Sequence, residues 1–217
     1  MAIGVEALPL TFAAHALAVA GAAMVLVWNL HYRGGLAWEA TNKNLIFNLH
    51  PVLMLIGLII IGGEAIMSYK SLPLKKEVKK QSISSPCCCC ILGSVGIAAA
   101  FKNHNESNIP TYTACHSWIG ISIIFLYSNP GSTARRSKSL PWHVLFGILL
   151  YILAVGNAAL GFLEKLTFLQ SSGIARRGPE ALLVNFTAVI TILYGVFVIL
   201  SVLSRAPEED DDSYSAK

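Results

Sequence analysis

The chain has 217 residues, of which 54% are hydrophobic and only 13% are charged, and its formal net charge is +4. A typical soluble domain has about 25% charged residues, so this composition excludes an ordinary soluble protein and favours a membrane protein. The small positive charge gives no reason to expect nucleic-acid binding.

Long apolar runs predict membrane-spanning helices, because a backbone inside a bilayer must satisfy its own hydrogen bonds and needs about 20 apolar residues to cross. Four runs are long enough and predict helices 1, 2, 5 and 6: residues 7–30, 45–68, 142–163 and 180–203. Two weaker runs, residues 87–101 and 112–127, predict helices 3 and 4, each roughly 23–24 Å long against a hydrocarbon core of about 30 Å. The first run lacks a basic n-region, so we expect no cleavable signal peptide. The predicted fold is all-α, a polytopic six-helix transmembrane bundle with helices 3 and 4 short or irregular.

Basic residues in the loops predict the orientation, because Lys and Arg are enriched on the cytosolic side of membrane proteins. The loop between helices 2 and 3 has five, the loop between helices 4 and 5 has three, and the C-terminal end has two, which makes ten of the sixteen Lys and Arg residues. We therefore expect both termini and these two loops in the cytosol. We expect residues 1–204 to form the transmembrane domain and residues 205–217 to form a disordered acidic tail.

Histidines are the candidate ligands, because ionisable side chains inside membrane helices are costly and usually functional. His50 and His116 lie near the starts of helices 2 and 4, which both enter from the non-cytosolic side, so their imidazoles are expected at similar depth. Two such imidazoles across a bundle are suitable axial ligands for haem iron; the alternative is hydrogen bonding to lipid headgroups. His143 starts helix 5 on the cytosolic side, where the start of helix 3 offers no histidine as a partner.

The remaining histidines and the cysteines have simpler interpretations. His15 stands alone within helix 1, where a packing or hydrogen-bonding role is expected, and His31 and His104 are expected to be solvated. Four consecutive cysteines at positions 87–90 cannot form an ordinary disulfide framework. Haem ligation by a thiolate, palmitoylation and passive apolar packing stay open for them, and packing is favoured.

Six short segments occur in a specific order and spacing from helix 1 to the end of helix 5. They are His31-Tyr32-Arg33-Gly34-Gly35-Leu36, Phe47-Asn48-Leu49-His50-Pro51-Val52, Gly63-Glu64-Ala65, His116-Ser117-Trp118, Pro141-Trp142-His143 and Gly161-Phe162-Leu163-Glu164-Lys165. On these segments the chain resembles the cytochrome b561 family, most closely its plant ascorbate-dependent transmembrane ferrireductases.

The resemblance implies a bundle with two b-type haems, one near each face. Electrons would pass from cytosolic ascorbate through the inner haem and then the outer haem. His50 and His116 resemble the ligands of the outer haem, and His143 resembles one ligand of the inner haem. Lys70 and Glu164 resemble groups near the haem edges.

The resemblance also implies substrate sites at both faces. Lys76, Lys80 and Arg136 look like the family's cytosolic ascorbate-binding residues, and a cationic rim suits the ascorbate anion. Lys102 and His104 occupy the loop of the outer site, where monodehydroascorbate or a ferric chelate would accept the electron. An internal membrane such as the vacuolar one is favoured over the plasma membrane. A homodimer in the lipid stays open.

Two departures from the family concern helices 3 and 4. Ile83 stands where the family has its helix 3 histidine, and isoleucine cannot ligate iron; residues 81–90 do not resemble the family. Helix 4 ends early, at Ser128-Asn129-Pro130-Gly131. Alternative splicing or an error in the gene model would each produce such departures. The alternative function is therefore a haem-deficient, catalytically impaired isoform of the same family.

Overall fold

The computed structural model of the protein describes residues 3–68, 85–110, 115–127 and 140–205. These residues form six helices: α1 (Ala7–Tyr32), α2 (Asn44–Ser68), α3 (Ser85–Glu106), α4 (Cys115–Tyr127), α5 (Leu140–Ser171) and α6 (Pro179–Leu203). Helices α1, α2, α5 and α6 are long and apolar enough to cross a membrane. The prediction of an all-α, multi-pass membrane protein is confirmed.

Both ends of the described chain meet at one end of the bundle. Two short strands, β1 (Ile3–Glu6) and β2 (Ser204–Arg205), pair in parallel. One turn further in, the hydroxyls of Thr11 and Ser201 lie 2.7 Å apart. No pattern in the sequence predicted this strand pair. It agrees with an even number of crossings, which puts both termini on the same side; the acidic tail beyond Arg205 lies outside the described residues.

Helices α1 and α6 pack closely because α1 presents a row of mostly small residues. The buried residues of α1 recur every third or fourth position, which is one helical face; they are Ala7, Thr11, Ala14, Ala18, Gly21 and Val25. Small side chains let two membrane helices approach closely. Large apolar side chains such as Phe12, Val19 and Phe186 are exposed on the outside, as expected of a surface covered by lipid.

Helix α2 is locally wound as a π-helix over Leu53–Ile60. Pro51 lies just before this segment and lacks the N–H that a regular α-helix needs, which accounts for a local change of winding. Tyr151 and Tyr194 donate hydrogen bonds to the carbonyls of Ile59 and Ile60, at 3.2 and 2.8 Å. Backbone carbonyls at membrane depth must find such donors within the protein.

Helices α3 and α4 differ in length. The 22 residues of α3 correspond to about 33 Å, because the helix continues past its apolar run through Lys102 to Glu106. Gly57 of α2 gives α3 room, since a Cβ there would be 2.5 Å from Cβ of Leu92. With 22 residues in α3, the prediction that helix 3 is short was wrong. Helix α4 is described over 13 residues, about 20 Å; the residues on both sides of it lie outside the described residues, so its short length stays a prediction.

Helix α5 continues to Ser171, eight residues beyond the predicted end at residue 163. The apolar face persists, with Leu166 and Leu169 buried. The charged residues Glu164 and Lys165 lie within the helix and border a cavity. We call the end of the bundle at which α2, α4 and α6 begin the histidine end; it is the end predicted to be non-cytosolic.

Candidate functional site

The structure brings His50 and His116 together at the histidine end. Their ring centroids are 6.0 Å apart, and the ring planes are nearly perpendicular, at 89°. His50 stands in the first turns of α2, and His116 is the second residue of α4. The prediction that the two imidazoles lie at similar depth on neighbouring elements agrees with this arrangement.

Each of the two rings is oriented by one backbone carbonyl. Nδ1 of His50 lies 3.0 Å from the carbonyl oxygen of Gly96, and Nδ1 of His116 lies 2.8 Å from that of Asn157. A neutral imidazole that donates from Nδ1 keeps the lone pair of Nε2 free as an acceptor. This is the arrangement that fixes metal-ligating histidines in proteins, where the second ring nitrogen donates to a carbonyl or carboxylate.

The two imidazoles are suitable donors for one haem iron. Their ring centroids lie 6.0 Å apart, and histidine nitrogen is a common ligand of haem iron, so His50 and His116 would hold the group between them. The absence of a side chain at Gly161 leaves space for the His116 ring, because a Cβ on this glycine would be 2.7 Å from Cε1 of the ring. The described residues therefore fit a bis-histidine haem.

A cavity of about 370 Å³ opens beside the two histidines. This volume is typical of small-molecule and cofactor sites, which are mostly apolar with a few placed polar groups. Its apolar wall includes Trp28, Phe47 and Phe162. Asn157 also borders the cavity, and its buried Oδ1 has no hydrogen-bond partner within the described part of the chain.

Charged and titratable groups border the cavity near its outer part: His104, Glu164 and Lys165. Burial is the main cause that lowers the pKa of His104, and Glu164 nearby opposes it by raising that pKa. Nζ of Lys165 lies 4.0 Å from the centre of the Phe47 ring, a cation–π contact. Cations and acceptors of hydrogen bonds thus occur together at this edge of the histidine site.

The polar end of α3, beyond its apolar run, is held by ion pairs. Lys102 lies 2.7 Å from Glu39 and 2.9 Å from Glu106, and Lys43 lies 2.6 Å from Glu106. The hydrogen bonds from Lys43 and Lys102 lower the pKa of Glu106, and those to Glu39 and Glu106 raise the pKa of Lys102. The loop between α1 and α2 is thereby fastened to α3.

The other side of the same loop is fastened to α6. Arg33 lies 2.6 Å from Oε2 of the buried Glu180, and Nε1 of Trp28 donates to Oε1 of Glu180 at 3.0 Å. Asn48 donates to the carbonyls of Arg33 and Gly35. Gly35 has φ +115°, a backbone conformation that glycine adopts without strain.

Comparison with known proteins identifies the family. The sequence profile described as "Eukaryotic cytochrome b561" matches residues 49–169, which include His50, His116 and both carbonyl partners. The chain belongs to the cytochrome b561 family. The cofactor of this family is b-type haem, in agreement with the donor set formed by the two histidines.

Cytochromes b561 of plants are similar to this chain over nearly its full length. It is 61% identical to transmembrane ascorbate ferrireductase 1 of Arabidopsis thaliana, over 93% of this chain and 90% of that protein. It is 54% identical to ascorbate-specific transmembrane electron transporter 2 of Zea mays, over 99% and 97%. Transmembrane ascorbate ferrireductase 2 of Arabidopsis thaliana is 41% identical, over 87% and 88%.

The structure locates some of the b561 site residues predicted from sequence and not others. His50, His116, His104 and Glu164 all border the one cavity at the histidine end. Lys102 is near that end but does not border the cavity. His143 lies near the start of α5, where its side chain is not described. Four predicted cationic residues lie outside the described residues: Lys70, Lys76, Lys80 and Arg136.

Two features of this b561 bundle were missed by the sequence interpretation. Lys165 was taken for a loop residue and in fact borders the cavity. His15, predicted to hydrogen-bond, does so with Glu64, whose carboxylate oxygens are 3.0 and 3.1 Å from Nδ1; Tyr194 adds a contact at 3.3 Å. The available signal was that His15 and Glu64 are ionisable residues in the middle of the apolar runs of α1 and α2, and ionisable groups inside membrane helices usually pair with one another.

Proposed function

We propose that this chain moves electrons across a membrane from ascorbate, as a transmembrane ascorbate-dependent ferrireductase with b-type haem. The single observation that supports this function best is the pair His50 and His116, with centroids 6.0 Å apart and both Nδ1 atoms bonded to backbone carbonyls. The printed names of the plant relatives, ascorbate ferrireductase and ascorbate-specific electron transporter, support the same conclusion.

We propose that His50 and His116 are the two axial ligands of the haem at the histidine end. Bound there, haem supplies a one-electron carrier that the side chains of the protein lack. The carbonyls of Gly96 and Asn157 hold the rings, and Gly161 leaves the space that His116 needs. Apolar side chains such as Trp28 and Phe162 line the cavity, and Glu164 is proposed to lie near the haem edge.

Ascorbate is the proposed donor, on the cytosolic side. Lys76, Lys80 and Arg136 are proposed to attract its anion there. The ascorbate monoanion becomes monodehydroascorbate by losing one electron and releasing one proton to the cytosol. On the far side, monodehydroascorbate or a ferric chelate is the proposed acceptor. His104 borders the cavity that contains the histidine pair, which supports a role for it at this second face, and Lys102 is proposed to contribute charge nearby.

A second haem at the cytosolic face would complete the path through the bilayer. His143 near the start of α5 is its proposed ligand, with Lys70 near its edge. The family's other ligand position is occupied by Ile83. The haem-deficient alternative rests on this one substitution, and no contact among the described residues favours it. The haem-to-protein ratio decides between a two-haem and a one-haem chain.

The setting of the protein is also part of the proposal. We propose residues 1–204 as the transmembrane domain and residues 205–217 as a disordered acidic tail. An internal membrane such as the vacuolar one is favoured over the plasma membrane, by the resemblance to the plant ferrireductases alone. A homodimer within the lipid is proposed as the oligomeric state to test first.

Transport in vesicles tests this function. Purified protein would be reconstituted into liposomes loaded with ferric citrate and an indicator of ferrous iron, and ascorbate would be added outside. We expect ferrous iron to form inside only in vesicles that contain the protein. The matched control is the double variant His50→Ala/His116→Ala, which is expected to be inactive. Equal rates in wild-type and empty vesicles would contradict the proposed function.

A further inference from the structure

Lys165 is a cation of the cavity wall without an anion of its own. It is partly buried near the C-terminal end of α5, and it borders the cavity with His50 and His116. Among the described residues, no carboxylate oxygen lies within ion-pair distance of its ammonium group. The anion that acts on it from further away is Glu180, which is already paired with Arg33. Its close neighbour is the ring of Phe47, 4.0 Å from Nζ.

Three other cations at this end of the bundle each have a carboxylate partner. Lys43 and Lys102 each lie within 2.9 Å of a carboxylate oxygen, and Arg33 lies 2.6 Å from Glu180. Glu164 is the residue before Lys165 in the helix, and adjacent helical side chains point about 100° apart. The carboxylate beside it in sequence therefore does not neutralise it.

A partly buried ammonium group without an anion is costly. Burial of a charge is offset only by pairing and hydrogen bonding, and a cation–π contact supplies about 0.5–2 kcal/mol. The ring of Phe47 covers one side of the ammonium group, and the cavity lies beside it. An anion that enters the cavity can therefore pair with Lys165.

We propose that Lys165 binds an oxygen anion of the carboxylate class inside this cavity. Two sources share this chemistry: a carboxylate carried by the haem itself, and a soluble anionic electron acceptor at the cavity mouth. The inference rests on the proposed function and adds to it the residue that recognises negative charge at the histidine end. Lys102, which is already paired with two carboxylates, is not this residue.

Haem retention and potential test the first source. Lys165→Met removes the charge at similar length, Lys165→Arg keeps it, and Arg176→Met is the control because it removes an exposed cation of the α5–α6 loop. If a haem carboxylate is the partner, Lys165→Met loses haem to excess apomyoglobin roughly tenfold faster than wild type, the loss expected for one charge-assisted bond. Its haem midpoint potential is also lowered, because a positive charge favours the reduced haem. Lys165→Arg and Arg176→Met behave like wild type.

Acceptor kinetics test the second source. If a soluble carboxylate anion is the partner, Lys165→Met keeps its haem and its potential, but KM for ferric citrate rises roughly tenfold. KM for the cationic acceptor hexaammineruthenium(III) does not rise, because a cation gains nothing from Lys165. Lys165→Arg restores the wild-type KM for ferric citrate.

Two results overturn the inference. One is a Lys165→Met protein that matches wild type in haem retention, potential and both KM values. The other is a Lys165→Arg protein that fails as badly as Lys165→Met, since then the shape of lysine matters and its charge does not. A wild-type chain without haem would instead overturn the proposed function, and this inference with it. Helix content and elution volume show whether each variant has folded.

Discussion

Gly161 lies directly against the imidazole of His116: a Cβ on this glycine would be 2.7 Å from Cε1 and 3.1 Å from Nε2 of the ring. Asn157, one turn earlier in α5, supplies the carbonyl that accepts from Nδ1 of the same ring at 2.8 Å. Residues four positions apart share one helical face. A single face of α5 therefore both orients His116 and leaves it space.

Gly161→Ala is expected to displace His116 and to lower the haem content several-fold. The new methyl group meets an imidazole that is already bonded to Asn157, and overpacking of this kind typically costs about 1–3 kcal/mol. The measurement is the haem-to-protein ratio of purified protein. Gly156→Ala is the matched control in the same helix, because a Cβ there meets nothing within 4 Å. Equal haem content in the two variants would show that Gly161 does not set the position of the ring.

Glu180→Ala is expected to lower the free energy of unfolding by about 3 kcal/mol, because it leaves the Arg33 charge without its partner. The Glu180 carboxylate is only 7% exposed, and it also accepts a bond from Trp28. Unfolding in detergent by denaturant would measure the loss. The double variant Arg33→Met/Glu180→Leu is expected to recover only part of it, since the apolar pair needs no partner but the buried N–H of Trp28 loses its acceptor. A double variant that is less stable than Glu180→Ala would contradict this account of the ion pair.

The ion pairs of Glu106 are expected to stabilise the protein at neutral pH and to weaken on acidification. Lys43 and Lys102 hold the pKa of Glu106 below its ordinary value of 4.5. A carboxyl group whose pKa is lower in the folded state contributes stability above its unfolded pKa, and this contribution is lost as the pH falls through the folded pKa. The thermal midpoint of wild type should therefore exceed that of Glu106→Gln at about pH 7, and the difference should shrink towards about pH 4. A difference that stays constant with pH would argue against these pairs.

Ile83→His is expected to raise the haem-to-protein ratio. By the resemblance to the family, Ile83 stands at the position of a helix 3 histidine; it lies outside the described residues. His143 is the proposed ligand opposite. A second imidazole would complete a bis-histidine site at the cytosolic face. Ile83→Asn, polar but without an imidazole, is the control. No gain of haem over the Asn variant would mean that position 83 does not face His143.

Much of the fold could be predicted from sequence because the bilayer imposes it. The four long apolar runs gave helices α1, α2, α5 and α6 within about two residues at most ends. The extension of α3 could not be predicted, because Lys102 and Glu106 are polar and are stabilised by partners on the loop between α1 and α2. The extension of α5 could not be predicted for a similar reason. Lys165 is charged, and only the structure shows that it borders a cavity.

The histidine site was predictable in part. The order and orientation of the helices predicted that His50 and His116 lie at the same depth. This prediction needs only the number of helices and the position of each histidine within its helix. The roles of Gly96, Asn157 and Gly161 could not be foreseen, because a backbone carbonyl or an absent side chain matters only once its neighbour in space is known. The pairing of His15 with Glu64 joins residues 49 positions apart, and neither residue alone indicates the other.

The haem-to-protein ratio of purified wild type, His50→Ala, His116→Ala and the double variant tests the central claim most directly. We expect wild type to contain b-type haem with a bis-histidine spectrum, and each single variant to lose one equivalent. The double variant should lose no more than either single one, because both ligands serve one iron. A wild-type protein free of haem, or a double variant with wild-type haem content, would contradict the account.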